Sequence, residues 1–356
     1  MLSRKSIWYV YPFFKHVSWN SIGVHHVAQL RQWFRVEEID ELAFPFIHIV
    51  GNPVVFLHPY FYPFQKLERN LSLKVPKFSA LIGIDVADSN QISKYAVKLT
   101  QYATALIVPS NWARQSYIKS GVKKPVYVLP HGVTPEWIDT PPQPPSTFQH
   151  LAKLKKEENR ILLLSYIVHS PYRKGFDLLV EIYRRTLAER NNVLLVLKTG
   201  AGVGYFPEYV KDGKYEMKGQ VYSGWLTDQQ KMELFDLCDV FLLTSRGGGF
   251  EHPALEGLAR GIPVIGAKGG AWEDFLPKWS LVDSQPSKQV LEGNPIHVGI
   301  GVEMKIEKAV DRLIHIIDNL DDYKARAKEY AETTIKEKFT WNKIGEQLRD
   351  ILLQYL

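Results

Sequence analysis

At 356 residues the chain is too long for one ordinary domain and fits two of about 150 to 180 residues each. Hydrophobic content of 45% and charged content of 23% are ordinary for a soluble globular protein. The net charge of +6 comes from dispersed Lys and Arg with no zinc-finger spacing, which sets nucleic acid aside as the main ligand. Cys238 is the single cysteine and excludes an internal disulfide; no apolar run approaches the length of a membrane span. The start has a basic flank in Arg4-Lys5, but its apolar segment ends at Pro12 and reads as a first strand, not a signal peptide. The expected location is the cytoplasm.

In chain order, strands are predicted at 7–11, 54–57, 80–84, 105–108 and 126–129, with helices at about 24–34, 92–103 and 112–120. The aromatic run 58–64 holds Pro59 and Pro63, which argue against regular structure there. It is a candidate acceptor loop or peripheral membrane contact. The proline-rich stretch 140–146 reads as an extended linker. The pattern then restarts with strands at 161–164, 193–198, 240–244 and 263–265, and helices at 176–189, 228–237 and 253–260. From 302 to 356 the chain reads as almost wholly helical, with a break near Phe339-Thr340-Trp341. Such alternation predicts an α/β protein with mostly parallel sheets covered by helices on both faces. The expected organisation is two Rossmann-like domains, 1–140 and 151–339, joined by a linker at 141–150 and facing an interdomain cleft. Ligands of such sheets bind outside the carboxyl ends of the strands.

The most informative stretch is Ser245-Arg246-Gly247-Gly248-Gly249-Phe250-Glu251-His252-Pro253-Ala254-Leu255-Glu256. Pro253 suits a first helical position and Gly261 a helix stop. Three glycines before a helix leave backbone N–H groups open to an anion, and the helix dipole favours negative charge there. Glu256 falls one turn into that helix. By itself the pattern also fits a tight strand-to-helix turn in any parallel sheet.

Other segments extend the pattern. Ala105 through Pro109, Ser110 and Arg114 is followed by Gly121 and by Val126 through Pro130, His131 and Gly132. Lys174-Gly175-Phe176-Asp177-Leu178-Leu179 comes next, then Gly224-Trp225-Leu226, the glycine loop, Gly261-Ile262-Pro263-Val264 and Gly269-Gly270-Ala271-Trp272-Glu273. Taken in order, these resemble the retaining nucleotide-sugar glycosyltransferases of the GT-B fold, specifically glycosyltransferase family 4. The resemblance implies that a closing helix, about 340–356, completes the first domain. It implies transfer of a sugar, of hexose type, from a nucleotide diphosphate donor to a hydroxyl acceptor with retention at the anomeric carbon.

The resemblance also assigns roles. Lys174, with Arg173 beside it, and the amides of Gly247, Gly248, Gly249 and Phe250 would hold the diphosphate. Glu256 would accept from the ribose hydroxyls, since a carboxylate takes a vicinal diol in a bidentate way. Thr199, Gly200, Trp225 and Leu226 would border the base, and Gly23 in the turn Ser21-Ile22-Gly23-Val24 would lie over the phosphates. Two positions depart from the family pattern: His169 stands where an arginine is usual, and Gly248 replaces the first of two paired glutamates. Glu251, in the same loop, is the candidate to supply the missing carboxylate to the sugar, with His252 as a further sugar contact. Asp85 stands where the family commonly has a histidine near the reacting sugar, with Asp88 as fallback. It can accept a proton or bind a hydroxyl, or equally cap the following turn.

No Asp-x-Asp pattern occurs and no oxygen-ligand cluster lies near the glycine loop, so no metal and no cofactor are expected. The donor would be of UDP or GDP type, and the acceptor a glycan or a lipid-linked or protein-linked hydroxyl. Rival readings are a non-catalytic sugar-nucleotide or glycan binder on the same fold, and a nicotinamide-dependent oxidoreductase. The latter lacks a G-x-G-x-x-G turn with an acidic residue about twenty positions on.

Overall fold

The computed structural model describes residues 6–200 and 219–356. The chain forms two compact units, Met1–Gly132 with Leu291–Gly299 and Lys338–Leu356, and Val133–Val290 with Ile300–Glu337. Met1 to Lys5 and the continuation of the Thr199-Gly200 turn into Ala201-Gly202 lie outside the described residues.

In the first unit, strands β1 (Ile7–Tyr11), β2 (Val36–Asp40), β3 (Val54–Leu57), β4 (Ala80–Ile84), β5 (Ala105–Val108) and β6 (Val126–Val128) pair in parallel. Their order is β2-β1-β3-β4-β5-β6. Every residue of β1, β3, β4 and β5 is buried. That explains their unbroken apolar runs, since central parallel strands are covered on both faces. Strand β2 was absent from the sequence reading because it is an edge strand, Val-Glu-Glu-Ile-Asp, with only Val36 and Ile39 buried. One sheet face carries helix Ser18–Leu30 and the closing helix Trp341–Leu353, joined through Ile22, Val27, Leu30, Ile344 and Leu348.

Two expectations for this unit need correction. Gly23 lies inside helix Ser18–Leu30 and not in a turn before it. A Cβ there would come within 2.5 Å of the Tyr11 ring, so the glycine serves helix-to-strand packing. The run with two prolines is not irregular throughout: Phe61–Ser72 is a helix with Pro63 in its first turn. Proline is tolerated there because first-turn N–H groups have no partner within the helix. Residues 291–299 return from far along the chain: Ser93 N donates to Ile296 O at 2.8 Å and Gly299 N to Ser89 Oγ at 3.0 Å.

The second unit holds β7 (Ile161–Ile167), β8 (Val193–Thr199), β9 (Gly219–Tyr222), β10 (Val240–Leu243), β11 (Val264–Ala267) and β12 (Leu281–Val282), also parallel. The order is β12-β11-β10-β7-β8-β9. Helix Gln149–Glu157 begins inside the stretch read as a linker, and the Glu233 carboxylate holds Thr147 N and Phe148 N at 2.7 and 2.6 Å. Helix is interrupted near 302 as well: β13 (Ser284–Gln289) and β14 (Ile300–Met304) form an antiparallel pair, and helix starts only at Ile306. Among the described residues no helix is long and apolar enough to cross a membrane.

Candidate active site

In the second unit the strand order reverses between β7 and β10, and open parallel sheets bind ligands outside the carboxyl ends of the strands at such a point. The loops leaving these two strands are hydrogen-bonded to each other. Arg246 N donates to Arg173 O at 2.7 Å and Thr244 Oγ1 to Lys174 O at 2.9 Å. Gly175, at φ +70°, approaches so closely that a Cβ would stand 2.0 Å from Thr244 O. Only glycine fits there.

The approach brings Lys174 beside Glu251. Lys174 Nζ lies 2.7 Å from both carboxylate oxygens of Glu251, and Ser245 Oγ donates to Oε1 at 2.7 Å. Both side chains are largely enclosed, at 14% and 5% exposure, so the pair is little screened by solvent. Glu251 adopts a left-handed backbone, φ +72°, uncommon outside glycine. A Cβ on Gly248 would meet Glu251 Oε1 at 2.3 Å. The Glu251 carboxylate therefore fills the space into which a side chain at 248 would grow. The two residues that the sequence assigned to separate parts of a ligand form one ion pair.

Arg173 and His169 also come together. The buried Arg173 guanidinium donates to Gly247 O at 2.9 Å, and its other terminal nitrogen lies 3.1 Å from His169 Nε2. Gly247 to Phe250 are buried, and Phe250 packs on Phe275 with ring centroids 4.8 Å apart. Helix His252–Ala259 begins directly after the loop, with Pro253 in its first turn. Glu256 on that helix is buried, and its Oε1 accepts from Lys231 Nζ at 2.8 Å; Lys231 also pairs with Asp228 at 2.7 Å. Burial pulls the Lys231 ammonium down, but the Glu256 and Asp228 carboxylates outweigh it and hold it above its usual range. His252 Nδ1 stands 3.8 Å from Glu256 Oε1.

Two residues escaped the sequence reading. Arg246, 2% exposed, grips Asp177 in a fork at 2.6 and 2.6 Å, reaches Glu303 at 2.7 Å and lies 4.2 Å over the Tyr172 ring. It fixes the start of the glycine loop to helix Phe176–Glu189. Lys198, buried in β8 with its ammonium pulled down by burial, donates to Thr199 O and Gly224 O at 2.6 and 2.5 Å. It thereby anchors the turn carrying Trp225, which is exposed, and Leu226, which is half-buried. Thr199 is buried, and a Cβ on Gly200 would come within 2.7 Å of Val168 O. A cation among small loop residues was the available signal for Arg246; for Lys198 there was none.

The first unit has a concavity of its own at the carboxyl ends of β1, β3 and β4, about 370 Å³ in volume. Lys15, Trp19, Glu41, Tyr62, Asp85 and His297 contribute to its wall. Asp85 accepts from Phe61 N and Val86 N, each at 2.8 Å, and so caps helix Phe61–Ser72. Burial raises its pKa to about 7, against the pull of those N–H groups. Asp88 N donates to His297 Nδ1 at 3.3 Å. Gly23 is not part of this wall.

Residues 147–292 match the family model for glycosyl transferases group 1. An uncharacterised protein of Sulfolobus islandicus rod-shaped virus 1 is 33% identical over 99% of both chains. A putative glycosyltransferase of a Sulfolobus islandicus filamentous virus is 25% identical over 78% of this chain and 75% of its own. Among solved structures, Anabaena HepE in complex with UDP and glucose superposes with a TM-score of 0.71 at 15% identity, covering 98% of this chain and 100% of that one. The paired parallel six-stranded sheets are those of the GT-B glycosyltransferases. Over residues 147–292, most of the second unit, the chain is similar to the glycosyl transferases group 1.

Proposed function

We propose that this glycosyltransferase moves a sugar from a nucleoside diphosphate donor to a hydroxyl acceptor with retention at the anomeric carbon. The observation that carries the reading is the Lys174–Glu251 pair at the reversal point of the second sheet. A sugar diphosphate puts an anion next to hydroxyl groups, and this site puts a cation next to a carboxylate. The diphosphate is met by Lys174, the amides of Gly247 to Phe250 and the start of helix His252–Ala259, with Arg173 bracing the loop. Glu256 takes the ribose hydroxyls and Glu251 the donor sugar. UDP complexed by the Anabaena neighbour favours a uridine donor as the first to test.

As the bond from the anomeric carbon to the diphosphate breaks, negative charge collects on the leaving oxygen, where Lys174 stabilises it. The acceptor oxygen forms its bond on the face being vacated, and the departing diphosphate takes the acceptor proton. These cationic and dipolar groups meet the charge, so no divalent metal is required. Proton NMR of the product from an α-linked donor should show an α-linked anomeric signal. A β product would contradict retention. A second reading, a non-catalytic sugar-nucleotide binder, is favoured by Gly248 where the family has a glutamate. Donor binding without transfer to any supplied acceptor would support it.

A further inference from the structure

Glu256 is buried, and a buried carboxylate needs a counter-charge to stay ionised. Among the described residues Lys231 is the one cation within hydrogen-bond distance of it. Lys231 Nζ donates to Oε1 at 2.8 Å, whereas His252 Nδ1 stands 3.8 Å from the same oxygen. Oε2 has no hydrogen-bond partner among the described residues and is the oxygen left for a ligand.

Lys231 is itself held on three sides. Besides Glu256 it pairs with Asp228 at 2.7 Å and lies 5.3 Å over the ring of the buried Trp137. It stands one turn into helix Asp228–Leu237, which starts straight after the Gly224-Trp225-Leu226 turn. A capping box fixes that start: Thr227 Oγ1 accepts from Gln230 N at 3.2 Å, and Gln230 Oε1 accepts from Thr227 N at 3.0 Å. The ammonium has little freedom, and neither has the carboxylate it grips.

A second tie carries the packing of these elements. Arg260, at the end of helix His252–Ala259, grips Asp236 in a fork at 2.7 and 2.9 Å and donates to Trp137 O and Thr140 O at 2.9 and 2.8 Å. The two helices and the backbone at 137–140 are thus joined independently of Lys231. What Lys231 alone does is orient Glu256.

We infer that Lys231 is a positioning residue for the donor: it keeps the Glu256 carboxylate ionised and in one orientation, with Oε2 left for a ribose hydroxyl, and so sets how strongly that hydroxyl is read. The inference rests on the proposed contact between Glu256 and the ribose. A hydrogen bond to a charged acceptor already in place contributes about tenfold or more in affinity, and one to a carboxylate that must first be ordered contributes less.

The test is calorimetric titration of the full-length protein with UDP, GDP and the 2′-deoxy and 3′-deoxy analogues of each. The variants are Lys231→Met, which keeps the stem and removes the ammonium, Glu256→Gln, and the two together. Wild type should bind a ribonucleotide about tenfold or more tighter than at least one of its deoxy analogues. In Lys231→Met that ratio should fall to about twofold or less, with affinity for the deoxy analogue unchanged. The double variant should match Glu256→Gln alone, because Lys231 acts only through Glu256. It carries no unpaired buried carboxylate, so this comparison stands even if Lys231→Met alone does not fold. An unchanged ratio in Lys231→Met, equal loss on ribo and deoxy ligands, or a double variant weaker than Glu256→Gln would each overturn the inference and leave the donor reading intact. Wild type that binds no nucleoside diphosphate or ignores the ribose hydroxyls, or Glu256→Gln that keeps the full ratio, would instead remove the reading on which the inference rests.

Discussion

Glu251 and Glu256 stand one helical turn apart with different partners, and the difference predicts different phenotypes. Glu251 is placed on the donor sugar, and glutamine keeps an acceptor for the Lys174 ammonium, so Glu251→Gln should leave nucleotide affinity near normal. Glu256→Gln loses a charged acceptor and should weaken nucleoside diphosphate binding by about tenfold, the scale of one hydrogen bond to a charged group. Calorimetric titration separates the two; equal loss in both variants would refute the assignment. Asp85 yields a pH prediction. Its folded pKa, about 7, lies above the 3.8 of an unburied carboxyl, so between those values the folded state holds the extra proton. Its contribution to stability is complete below about pH 4 and is lost as pH rises toward 7. The melting temperature of wild type relative to Asp85→Asn should therefore fall across that interval, and a constant offset would show that Asp85 does not titrate there. The glycine loop, Pro253 and Lys174 were legible as loop and helix-start residues because glycine runs and a first-turn proline mark such turns. Their pairing was not: Lys174 and Glu251 lie far apart in sequence, and their meeting depends on the contact between two loops.

At the level of elements, the central strands could be read because burial on both faces leaves continuous apolar runs. Those missed obey the same physics in reverse: β2 is acidic along its edge, and β13, Ser-Gln-Pro-Ser-Lys-Gln, has only Ser287 buried. Helix Phe61–Ser72 was hidden by prolines whose positions, one before it and one in its first turn, interrupt no helical hydrogen bond. The crossing of the β7 and β10 loops supplies a test of its own. Gly175→Ala forces a Cβ against Thr244 O at 2.0 Å and places alanine at φ +70°. It should destabilise the protein by more than about 1 kcal/mol and reduce donor affinity together. An unchanged denaturation midpoint with unchanged affinity would show that the close approach is not needed.

For the whole molecule, the alternation of strands and helices was enough to predict two Rossmann-like units, because each parallel βαβ step leaves its own periodic trace. The excursion of residues 291–299 into the first unit was not, since a short polar loop between two weak strands carries no periodicity. The proposed transfer turns on how the diphosphate charge is met, by Lys174 and the loop dipoles or by a bound ion. The most direct measurement is the rate of nucleoside diphosphate release from a sugar nucleotide that the protein turns over. It should be taken with excess chelator and with added manganese, for wild type and Lys174→Ala. Wild-type turnover should persist in chelator and gain nothing from manganese, and turnover should be sharply reduced in Lys174→Ala at saturating donor. Wild-type activity that disappears in chelator and returns with metal, or a Lys174→Ala variant at full rate, would contradict this charge assignment.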